Sequence, residues 1–487
     1  MKEEEHASLR FYMSQYFSML PILLYVLLSA IIMIGFHYYA MKALILAAII
    51  SLFFGFILCK NKKEYWNAIV RGLAQYGNAR LILIFMVIGI FSKVLVDGNI
   101  GGGFIWLSLQ LGLHGGAFVV FTFLGCSIIS MGAGAPIAAL LAVIPIFYPA
   151  GVMLGADPTV ITGAMLSGIF FGDALSPSSQ VIHTTIASQH DKTTGESAKL
   201  LETMKERLGY ILFAGCLSMI LFYLFGGSTS SITNVKELSE LANVQGLWML
   251  IPIAILLLLC FRTSDLFIGV SFGILSGIAV GLCFGVFQLQ DLFYLDPIGA
   301  QMHGIFIDGI YQVIDIILST ILLYGLIQVA VEGGMMHVCC NFVTSCRMSK
   351  TRKGAESIIA LGVGIVNVLL AGCVLPSILM FKDVADEVGQ KADIPPSRRC
   401  ILLTAMTTNI TAIIPINSAF VMGAVTVIQE LSSKNAMLPI VGPFKIFLSS
   451  YYCLILTFIC IGWVVFGLGR SHEKVKHSRH DKYAKEW

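Results

Sequence analysis

The segment FFGDALSPSS, from Phe170 to Ser179, places an aspartate, three serines and a proline inside a long apolar region of the chain. Pro177 has no backbone N–H and clashes with the preceding helical turn, so we expect the helix predicted over 158–189 to break there. Such a break frees backbone N–H and C=O groups, which at membrane depth are tolerated only beside other protein or a water-filled cavity. This interrupted helix therefore decides what kind of fold the rest of the chain has to build.

The composition around that segment is typical of a membrane protein. Of the 487 residues, 57% are hydrophobic and only 12% are charged, about half the charged share of a soluble domain. The mean hydropathy is +0.85. The acidic start MKEEEHASLR does not fit a cleaved secretory signal, so we expect an uncleaved first helix. A GxxxxGK(S/T) motif and CxxC pairs are absent from the sequence, which argues against ATP-driven transport and against a zinc or disulfide framework.

Apolar runs of spanning length, about 20 residues each, recur from end to end. They predict crossings near 17–35, 40–58, 79–97, 158–189, 208–225, 246–261, 265–286, 315–333, 396–431 and 443–468. Two further apolar stretches, 116–149 and 355–381, each have a middle rich in Gly, Pro or Ser. The first of them is too long for one ordinary crossing.

The positions of the basic residues predict how these two stretches are arranged, because cytoplasmic loops carry an excess of Lys and Arg. Basic residues occur near Lys60, from Lys192 to Arg207, from Arg347 to Lys353 and from Arg470 to Lys485. The second stretch is followed by Lys382, Lys391, Arg398 and Arg399, whereas 98–115 and 286–300 contain no Lys or Arg. All of these basic segments can be cytoplasmic only if 116–149 and 355–381 are re-entrant hairpins. The first would enter the membrane from outside and the second from the cytoplasm. We therefore expect a multi-pass protein of the cell (inner) membrane with both termini cytoplasmic.

The two halves of the chain match at a nearly fixed offset. Pro158 and Pro396 lie 238 positions apart, as do Pro177 and Pro415, and the offset is 235 for Asp97 and Glu332 and 240 for Pro136 and Pro376. Each half then contains five crossings and one hairpin, and because five is odd, the second half is inverted relative to the first. The sequence thus predicts an all-α polytopic membrane protein with two inverted-topology repeats and broken helices at the midplane.

The predicted first repeat covers 17–225 and contains hairpin 116–149 and broken helix 158–189. The predicted second repeat covers 246–468 and contains hairpin 355–381 and broken helix 396–431. A cytoplasmic N-terminus (1–16), an extracellular linker (226–245) and a basic cytoplasmic tail (469–487) complete the chain. Inverted repeats with broken helices are typical of secondary transporters, whose site lies at the midplane between the repeats.

The two breaks supply the candidate binding groups. Those for a cation or substrate are Asp173, Ser176, Ser178, Ser179, Asn409, Thr411, Asn417 and Ser418. The hairpin tips add Ser130, Gly132, Gly134, Asn367, Gly372 and Ser377. A ring of oxygens with one carboxylate suits sodium, which makes Asp173 the candidate sodium ligand. Two opposed helix N-termini can also hold a substrate carboxylate.

Structural roles are alternatives for several of these groups. A charge at the bilayer centre costs roughly 2.5–3.5 kcal/mol, so an intramembrane aspartate indicates function unless it forms a structural ion pair, for Asp173 with Lys93 or Arg80. Asn417 and Ser418 can serve as hydrogen bonds between helices. His183 is a candidate proton relay, although a lone helix histidine is more often a structural hydrogen-bonding group.

Two other classes of function remain as remote alternatives. FFGDA contains the GD pair that intramembrane aspartyl proteases use, but the mirrored position of the second half, near Thr411, offers no second aspartate. A serine protease would need Ser178 or Ser179 to meet His183 as nucleophile and base. A channel is the remaining alternative, although it does not require inverted hairpins.

The segment SGIFFGDALSPSSQVIHTT resembles the NhaC-type sodium/proton antiporter family, which has a GD-x-x-SP-x-S motif followed by threonines. The matching positions are Gly172, Asp173, Ser176, Pro177, Ser179, Thr184 and Thr185. IPIN, from Ile414 to Asn417, is similar to a later IPWN segment of the family, and the preceding PSRR is similar to its LSR. The resemblance implies the ion-transporter superfamily fold, with paired hairpins and broken helices. The chain differs in having Ala174 where the family commonly has Lys, and in lacking an acidic pair after PSRR.

We therefore expect a secondary active transporter, not an enzyme, that couples sodium or proton movement to antiport or symport of a cation or a small organic solute. Asp173 is the predicted coupling carboxylate. The alternative is a sodium-coupled amino acid or organic acid carrier without net sodium/proton exchange. Expected partners are the lipid bilayer, a small inorganic cation, a small organic solute and a second copy in a homodimer. We expect no nucleic acid and no cofactor beyond the coupling ion.

Overall fold

The computed structural model describes residues 9–12, 15–133, 136–176, 179–192, 194–227, 242–263, 265–295, 301–335 and 351–467. Most of these residues are helical, and the short strands Tyr294–Leu295 (β1) and Met302–His303 (β2) pair antiparallel. Nine of the described segments are long and apolar enough to cross a membrane. A pair of helices bent by 63° makes a tenth if it is one span. The chain is therefore a polytopic α-helical membrane protein.

Ten helices make up the described N-terminal half. They are α1 (Leu20–Ala30), α2 (Met41–Leu58), α3 (Lys62–Ala74), α4 (Tyr76–Asp97), α5 (Ile100–Leu111), α6 (Gly116–Ala133), α7 (Pro136–Met153), α8 (Pro158–Leu175), α9 (Gln180–Ile186) and α10 (Leu200–Phe225). A 3-10 turn, Gln15–Met19, and a π-helical turn, Ile31–Gly35, extend α1 to spanning length.

Ten more helices make up the described C-terminal half. They are α11 (Leu250–Thr263), α12 (Leu266–Cys283), α13 (Ile305–Tyr311), α14 (Ile314–Glu332), α15 (Arg352–Leu369), α16 (Val374–Lys391), α17 (Pro396–Ile413), α18 (Ala419–Lys434), α19 (Pro443–Ser449) and α20 (Tyr451–Phe466). The 3-10 turns Val244–Met249 and Leu289–Asp291 precede α11 and β1. The bent pair consists of α19 and α20.

Burial separates the central helices from those at the periphery. A helix that is apolar on all sides belongs in a protein core or in lipid. In α7 and α8, 78% of the spanning window is buried inside the protein, whereas the value is 28% for α10. The interrupted helix α8 is thus central, and the outer face of α10 is left for lipid.

Close backbone packing holds α8 against α6. A Cβ added at Gly168 would overlap the Phe123 carbonyl oxygen, and one at Gly172 would overlap the Ser127 carbonyl oxygen. Only glycine allows two helices to approach this closely. The contact at Gly172 fixes the last turn of α8 against α6, directly before Asp173.

The predicted hairpins have longer arms than the sequence analysis assigned. The stretch 116–149 forms α6 and α7, each of 18 residues, which is about 27 Å at 1.5 Å per residue and close to the thickness of the hydrocarbon core. Pro145 and Pro149 lie inside α7 without ending it. The stretch predicted as 355–381 extends from Arg352 to Lys391. The extension of α16 is amphipathic, since Val384, Ala385 and Val388 are buried between exposed acids, and hydropathy alone therefore missed it.

Corresponding helices of the two halves begin at the same spacing. Helices α8 and α17 each have 18 residues, begin with a proline and start 238 positions apart. Helices α7 and α16 also have 18 residues each and start 238 positions apart. Each half thus contains a pair of 18-residue helices followed by a third that ends at a non-helical segment.

Three arginines that the sequence analysis counted as cytoplasmic loop charges are buried instead. Arg207, Arg398 and Arg399 are only 7%, 4% and 1% exposed. Arg207 lies two turns inside α10, because that helix begins at Leu200 and not near 208. The other two form buried or partly buried ion pairs, Arg398 with Glu356 at 2.6 Å and Arg399 with Asp386 at 2.5 Å. They therefore carry no information about which side of the membrane their segments face.

The two cations considered as partners of Asp173 pair with other acids. Lys93 lies 2.7 Å from Asp97, and Arg80 lies 3.0 Å from Asp265.

Glu332, at the end of α14, joins a surface ion-pair cluster rather than the interior. Its carboxylate lies 2.6 Å from Arg71 on α3, which is also 2.6 Å from Glu64. Hydrogen bonding to Arg71 lowers the pKa of the Glu64 carboxyl. The cluster connects α3 of the first half to α14 of the second.

Candidate functional site

Helix α8 ends at Leu175, and α9 begins at Gln180. Of the four residues between them, all singled out by the sequence analysis, Pro177 and Ser178 lie outside the described residues. The Ser176 N–H donates to the Asp173 carbonyl oxygen at 3.1 Å, and the Ser176 hydroxyl donates to the Met131 carbonyl oxygen at 2.8 Å. The interruption is therefore fastened to the end of α6, at the tip of the first hairpin.

Asp173 lies one turn before this interruption and is only 3% exposed. Its carboxylate is hydrogen-bonded by the Ser179 side chain and faces the positive charge of Arg207. Its second oxygen, Oδ1, has no hydrogen-bond partner among the described residues. A buried carboxylate oxygen without a partner costs free energy, so it marks a place where a ligand, ion or water can bind.

A cavity of about 40 Å³, measured as the space open to the centres of water-sized molecules, lies beside Asp173. It is enclosed by α8 and α9 together with α10, α17 and α20. The polar side chains on its wall are Asp173, Ser179, Arg207, Tyr210, Thr404 and Thr408, and the indole of Trp463 also lines it. Asp173 is the one acid among the described residues that line this wall, and both halves of the chain contribute to the cavity.

Arg207 was missed as a site residue by the sequence analysis. Its Nε and Nη2 atoms are buried and have no hydrogen-bond partner within the described part of the chain. The Trp463 Nε1 is likewise buried and without a partner. The charged sequence ETMKER precedes an apolar run and therefore predicts a loop. Charge alone does not distinguish Arg207 from the other charged residues of this segment. A helical projection of 200–225 would have placed Arg207 on the same face as the buried Ala214 and Ser218.

The second interruption lies between Ile413, the end of α17, and Ala419, the start of α18. The Thr411 hydroxyl donates to the Gly372 carbonyl oxygen at 2.9 Å, and the Asn417 amide donates to the Val368 carbonyl oxygen at 2.8 Å. The Ser418 hydroxyl donates to the Thr411 carbonyl oxygen at 2.7 Å and caps α18. This break is therefore fastened to the tip of the second hairpin.

Asn367 and Ser377 extend this network within the second hairpin. The Asn367 amide donates to the Thr407 carbonyl oxygen at 2.8 Å. The single Ser377 hydroxyl proton is shared between the Asn367 side-chain oxygen at 3.0 Å and the Cys373 carbonyl oxygen at 2.6 Å. Gly372 has a φ of +70°, in the left-handed region that favours glycine, and so makes the tight turn between α15 and α16. The hairpin-tip residues of the second half thus meet the second break.

The structure divides the predicted site residues into groups. Asp173 and Ser179 line the cavity. Seven others lie at the contacts between the helix breaks and the hairpin tips: Ser176, Thr411, Asn417, Ser418, Asn367, Gly372 and Ser377. Asn409 and Ser130 are fully buried, and their polar side-chain atoms have no partner among the residues that the structure describes. Gly132 packs against the Leu257 side chain, and Gly134 and Ser178 lie outside the described residues.

The two halves meet near the breaks through aromatic side chains. The rings of Phe170, on α8, and Phe420, at the start of α18, have centroids 5.0 Å apart and planes tilted by 38°. Helices α17 and α20 of the second half also line the cavity that contains Asp173. Within the described residues no group of three or more His, Cys, Asp or Glu side chains could hold a metal ion.

These features describe a polytopic helical membrane protein with a buried carboxylate and a buried guanidinium in one cavity between its halves. No protein-family model matches the chain. The chain is 28% identical over 224 residues to a malate-2H(+)/Na(+)-lactate antiporter of Bacillus subtilis (strain 168), a match that covers 45% of this chain and 46% of the relative. The chain thus aligns with just under half the length of that relative.

Among solved structures, the chain is similar to the YdaH transporter of Alcanivorax borkumensis. The TM-score is 0.37 at 13% sequence identity, and the match covers 81% of this chain and 90% of the other. The similarity found in sequence is to a transporter, and membership of the NhaC-type family stays a prediction from the GD-x-x-SP-x-S motif.

Proposed function

We propose that the protein is a secondary active antiporter that exchanges small organic carboxylates across the membrane, with sodium or protons as the coupling ions. The similarity to a malate-2H(+)/Na(+)-lactate antiporter supports the substrate class and the coupling ions. The lack of a nucleotide-binding motif in the sequence supports a gradient as the energy source.

One observation carries this proposal: a buried carboxylate, with one oxygen that has no partner among the described residues, lines a cavity at the interruption of a central helix. Intramembrane acids are costly and mark ion or substrate pathways. Asp173 is therefore the proposed coupling group. Sodium or a proton at this carboxylate neutralises it and favours the movement that exposes the cavity to the other side.

The proposed architecture is a pair of inverted-topology repeats, each of five crossings and a hairpin. The equal lengths and the 238-residue spacing of α8 and α17 support it. So does the fastening of each interruption to the hairpin tip of its own half. The site then lies where the halves meet, as it does in other transporters with inverted repeats.

The test is exchange by the purified protein in liposomes. Vesicles loaded with unlabelled L-malate receive external labelled L-lactate under an imposed sodium or pH gradient, and the reverse pair is measured in parallel. We expect labelled uptake that requires internal organic acid and that falls when the gradient is collapsed. Exchange of sodium for protons without any organic acid would favour the simpler cation antiporter, and passive flux at channel rates would reject both.

A sodium-coupled carrier of organic acids without exchange is the second candidate, since the same cavity would serve it. In the same assay such a carrier accumulates label in vesicles that contain no organic acid. Placement in the inner membrane, cytoplasmic termini and a homodimer remain predictions. A fluorescent protein fused after residue 487, fluorescent in the cytoplasm only, checks the position of the C-terminus.

A further inference from the structure

Arg207 carries two hydrogen-bond donors that nothing in the described protein satisfies. The side chain is only 7% exposed, and its Nε and Nη2 atoms are both buried without a partner. These two nitrogens form one edge of the guanidinium plane, which is the edge that binds a carboxylate through two parallel hydrogen bonds. Burying such a charge without hydrogen bonds is costly, so its retention beside a cavity points to a ligand.

Another unpartnered donor lines the same space. The indole of Trp463, on α20, lies on the cavity wall, and its Nε1 is buried without a partner within the described chain. It is a neutral donor beside the cationic Arg207, a combination that suits the oxygens of an anion.

Thr404 and Thr408, in contrast, can accept hydrogen bonds from a ligand. Their hydroxyls donate to the Cys400 and Thr404 carbonyl oxygens of their own helix, each at 2.8 Å. What remains on each hydroxyl is an acceptor lone pair. The cavity wall from α17 therefore accepts hydrogen bonds, whereas the wall from α10 and α20 donates them.

We propose that the Nε–Nη2 edge of Arg207 binds the carboxylate of the transported organic acid, with the Trp463 indole N–H as an additional donor. This proposal rests on the proposed function and names the group that recognises its substrate. Asp173 and Arg207 share the cavity as one negative and one positive charge. A carboxylate bound at Arg207 removes the positive charge that offsets Asp173, so binding of the anion increases the affinity of Asp173 for a cation.

By linkage, the cation increases the affinity for the anion by the same factor. The organic acid and the coupling cation therefore bind together in one cavity. A guanidinium that served only as the counter-ion of Asp173 would give neither the recognition of a carboxylate nor this coupling.

The experiment measures binding of L-lactate to the detergent-purified protein by isothermal titration, with and without sodium. Methyl L-lactate, which has the same hydroxyl but no carboxylate, is the ligand control. We expect L-lactate to bind and the ester not to compete. Competition by the ester at concentrations similar to those of L-lactate would overturn the proposal without any substitution of the protein.

The matched variants are Arg207→Lys, Arg207→Gln and Trp463→Phe, with Arg80→Gln as a control arginine outside the cavity. We expect Arg207→Lys to weaken L-lactate binding roughly ten- to a hundredfold and Arg207→Gln to abolish it, because the paired charge-assisted hydrogen bonds are lost. Trp463→Phe, which keeps an aromatic ring, should weaken binding several-fold. Arg80→Gln should bind as the wild type does.

The two proposals fail separately. If both Arg207→Gln and Trp463→Phe bind L-lactate with wild-type affinity, the proposed carboxylate site is wrong, but the proposed antiporter function is unaffected. Binding of L-lactate by the wild type without any gradient-driven exchange in liposomes overturns the antiporter and leaves the site. If Arg207→Gln does not fold, Trp463→Phe and the ester comparison decide the question.

Discussion

The Asn367 amide donates to the Thr411 hydroxyl across 2.7 Å, although 44 positions separate the two residues in the sequence. Thr411 in turn donates to the Gly372 carbonyl oxygen at 2.9 Å. The hydroxyl thus accepts from one end of the hairpin tip, and its single proton is shared between the Gly372 carbonyl oxygen at the other end and the Thr407 carbonyl oxygen of its own helix, at 2.8 Å. It connects the turn between α15 and α16 directly to the last helical turn of α17, before the second interruption.

Replacing this hydroxyl should therefore destabilise the fold. Thr411→Val keeps the shape of the side chain but leaves the Asn367 amide and the Gly372 carbonyl oxygen with one partner fewer, at a cost of about 1–3 kcal/mol. We expect a lower melting temperature of the detergent-purified protein. Thr457→Val is the control, since within the described part of the chain the Thr457 hydroxyl bonds only to the Cys453 carbonyl oxygen of its own helix. Equal melting temperatures of the two variants would contradict the connecting role of Thr411.

Removing the charge of Asp173 should abolish gradient-driven exchange in a protein that still folds. Asp173→Asn is nearly isosteric, and it retains a side-chain oxygen that can accept the hydrogen bond from Ser179. The amide is always neutral, so binding of sodium or a proton can no longer change the charge at this position. Flux in liposomes should therefore fall to the protein-free background. Asp97→Asn, an acid paired with Lys93 on α4, is the control and should exchange normally. Coupled exchange by Asp173→Asn at the wild-type rate would rule out the coupling role.

The ion pair between Arg399 and Asp386 should contribute strongly to stability. The arginine side chain is 1% exposed, and it also donates to the His190 carbonyl oxygen at 2.7 Å. Arg399→Met leaves a partly buried carboxylate without its counter-charge, which costs about 3 kcal/mol, the lower end for buried pairs.

The matched comparison is Lys391→Met, which removes an exposed pair with Glu387, one residue after Asp386 along α16. Exposed pairs contribute roughly 0–1 kcal/mol, so its melting temperature should change little. A shift for Arg399→Met no larger than that for Lys391→Met would show that the buried pair is not a stabilising contact.

Packing of α8 on α6 makes a further prediction. Gly172→Ala places a methyl group against the Ser127 carbonyl oxygen, a backbone atom that cannot move aside without displacing α6. Overpacking of this kind costs about 1–3 kcal/mol. Gly209→Ala, within α10, meets no atom within 4 Å and should raise stability by about 0.4–1 kcal/mol through helix propensity. The two melting temperatures should therefore shift in opposite directions.

Much of the helical organisation followed from the sequence. Hydropathy located most of the spans to within a few residues, because a 20-residue apolar run has no other stable environment than a bilayer or a large core. Pro177 and Pro415 located both interruptions, since the structure ends α8 at Leu175 and α17 at Ile413. Only local chemistry was needed for these predictions.

The arrangement of the polar side chains could not be predicted in the same way. Thr411 and Ser418 looked like ion ligands, yet their hydroxyls bond to nearby carbonyl oxygens. Arg207 looked like a loop charge, yet it faces the cavity. Composition shows that polar groups are present at membrane depth, but the partner of each depends on helix rotation and on contacts between distant segments.

Phe170 and Phe420 touch between the two interruptions, while each interruption bonds to the hairpin of its own half. This tilted ring contact contains no directional bond, whereas Arg399 of the second half donates to the His190 carbonyl oxygen of the first. A shift of one half past the other would preserve the ring contact but break directional bonds such as this one, so those bonds limit how far the two halves can move.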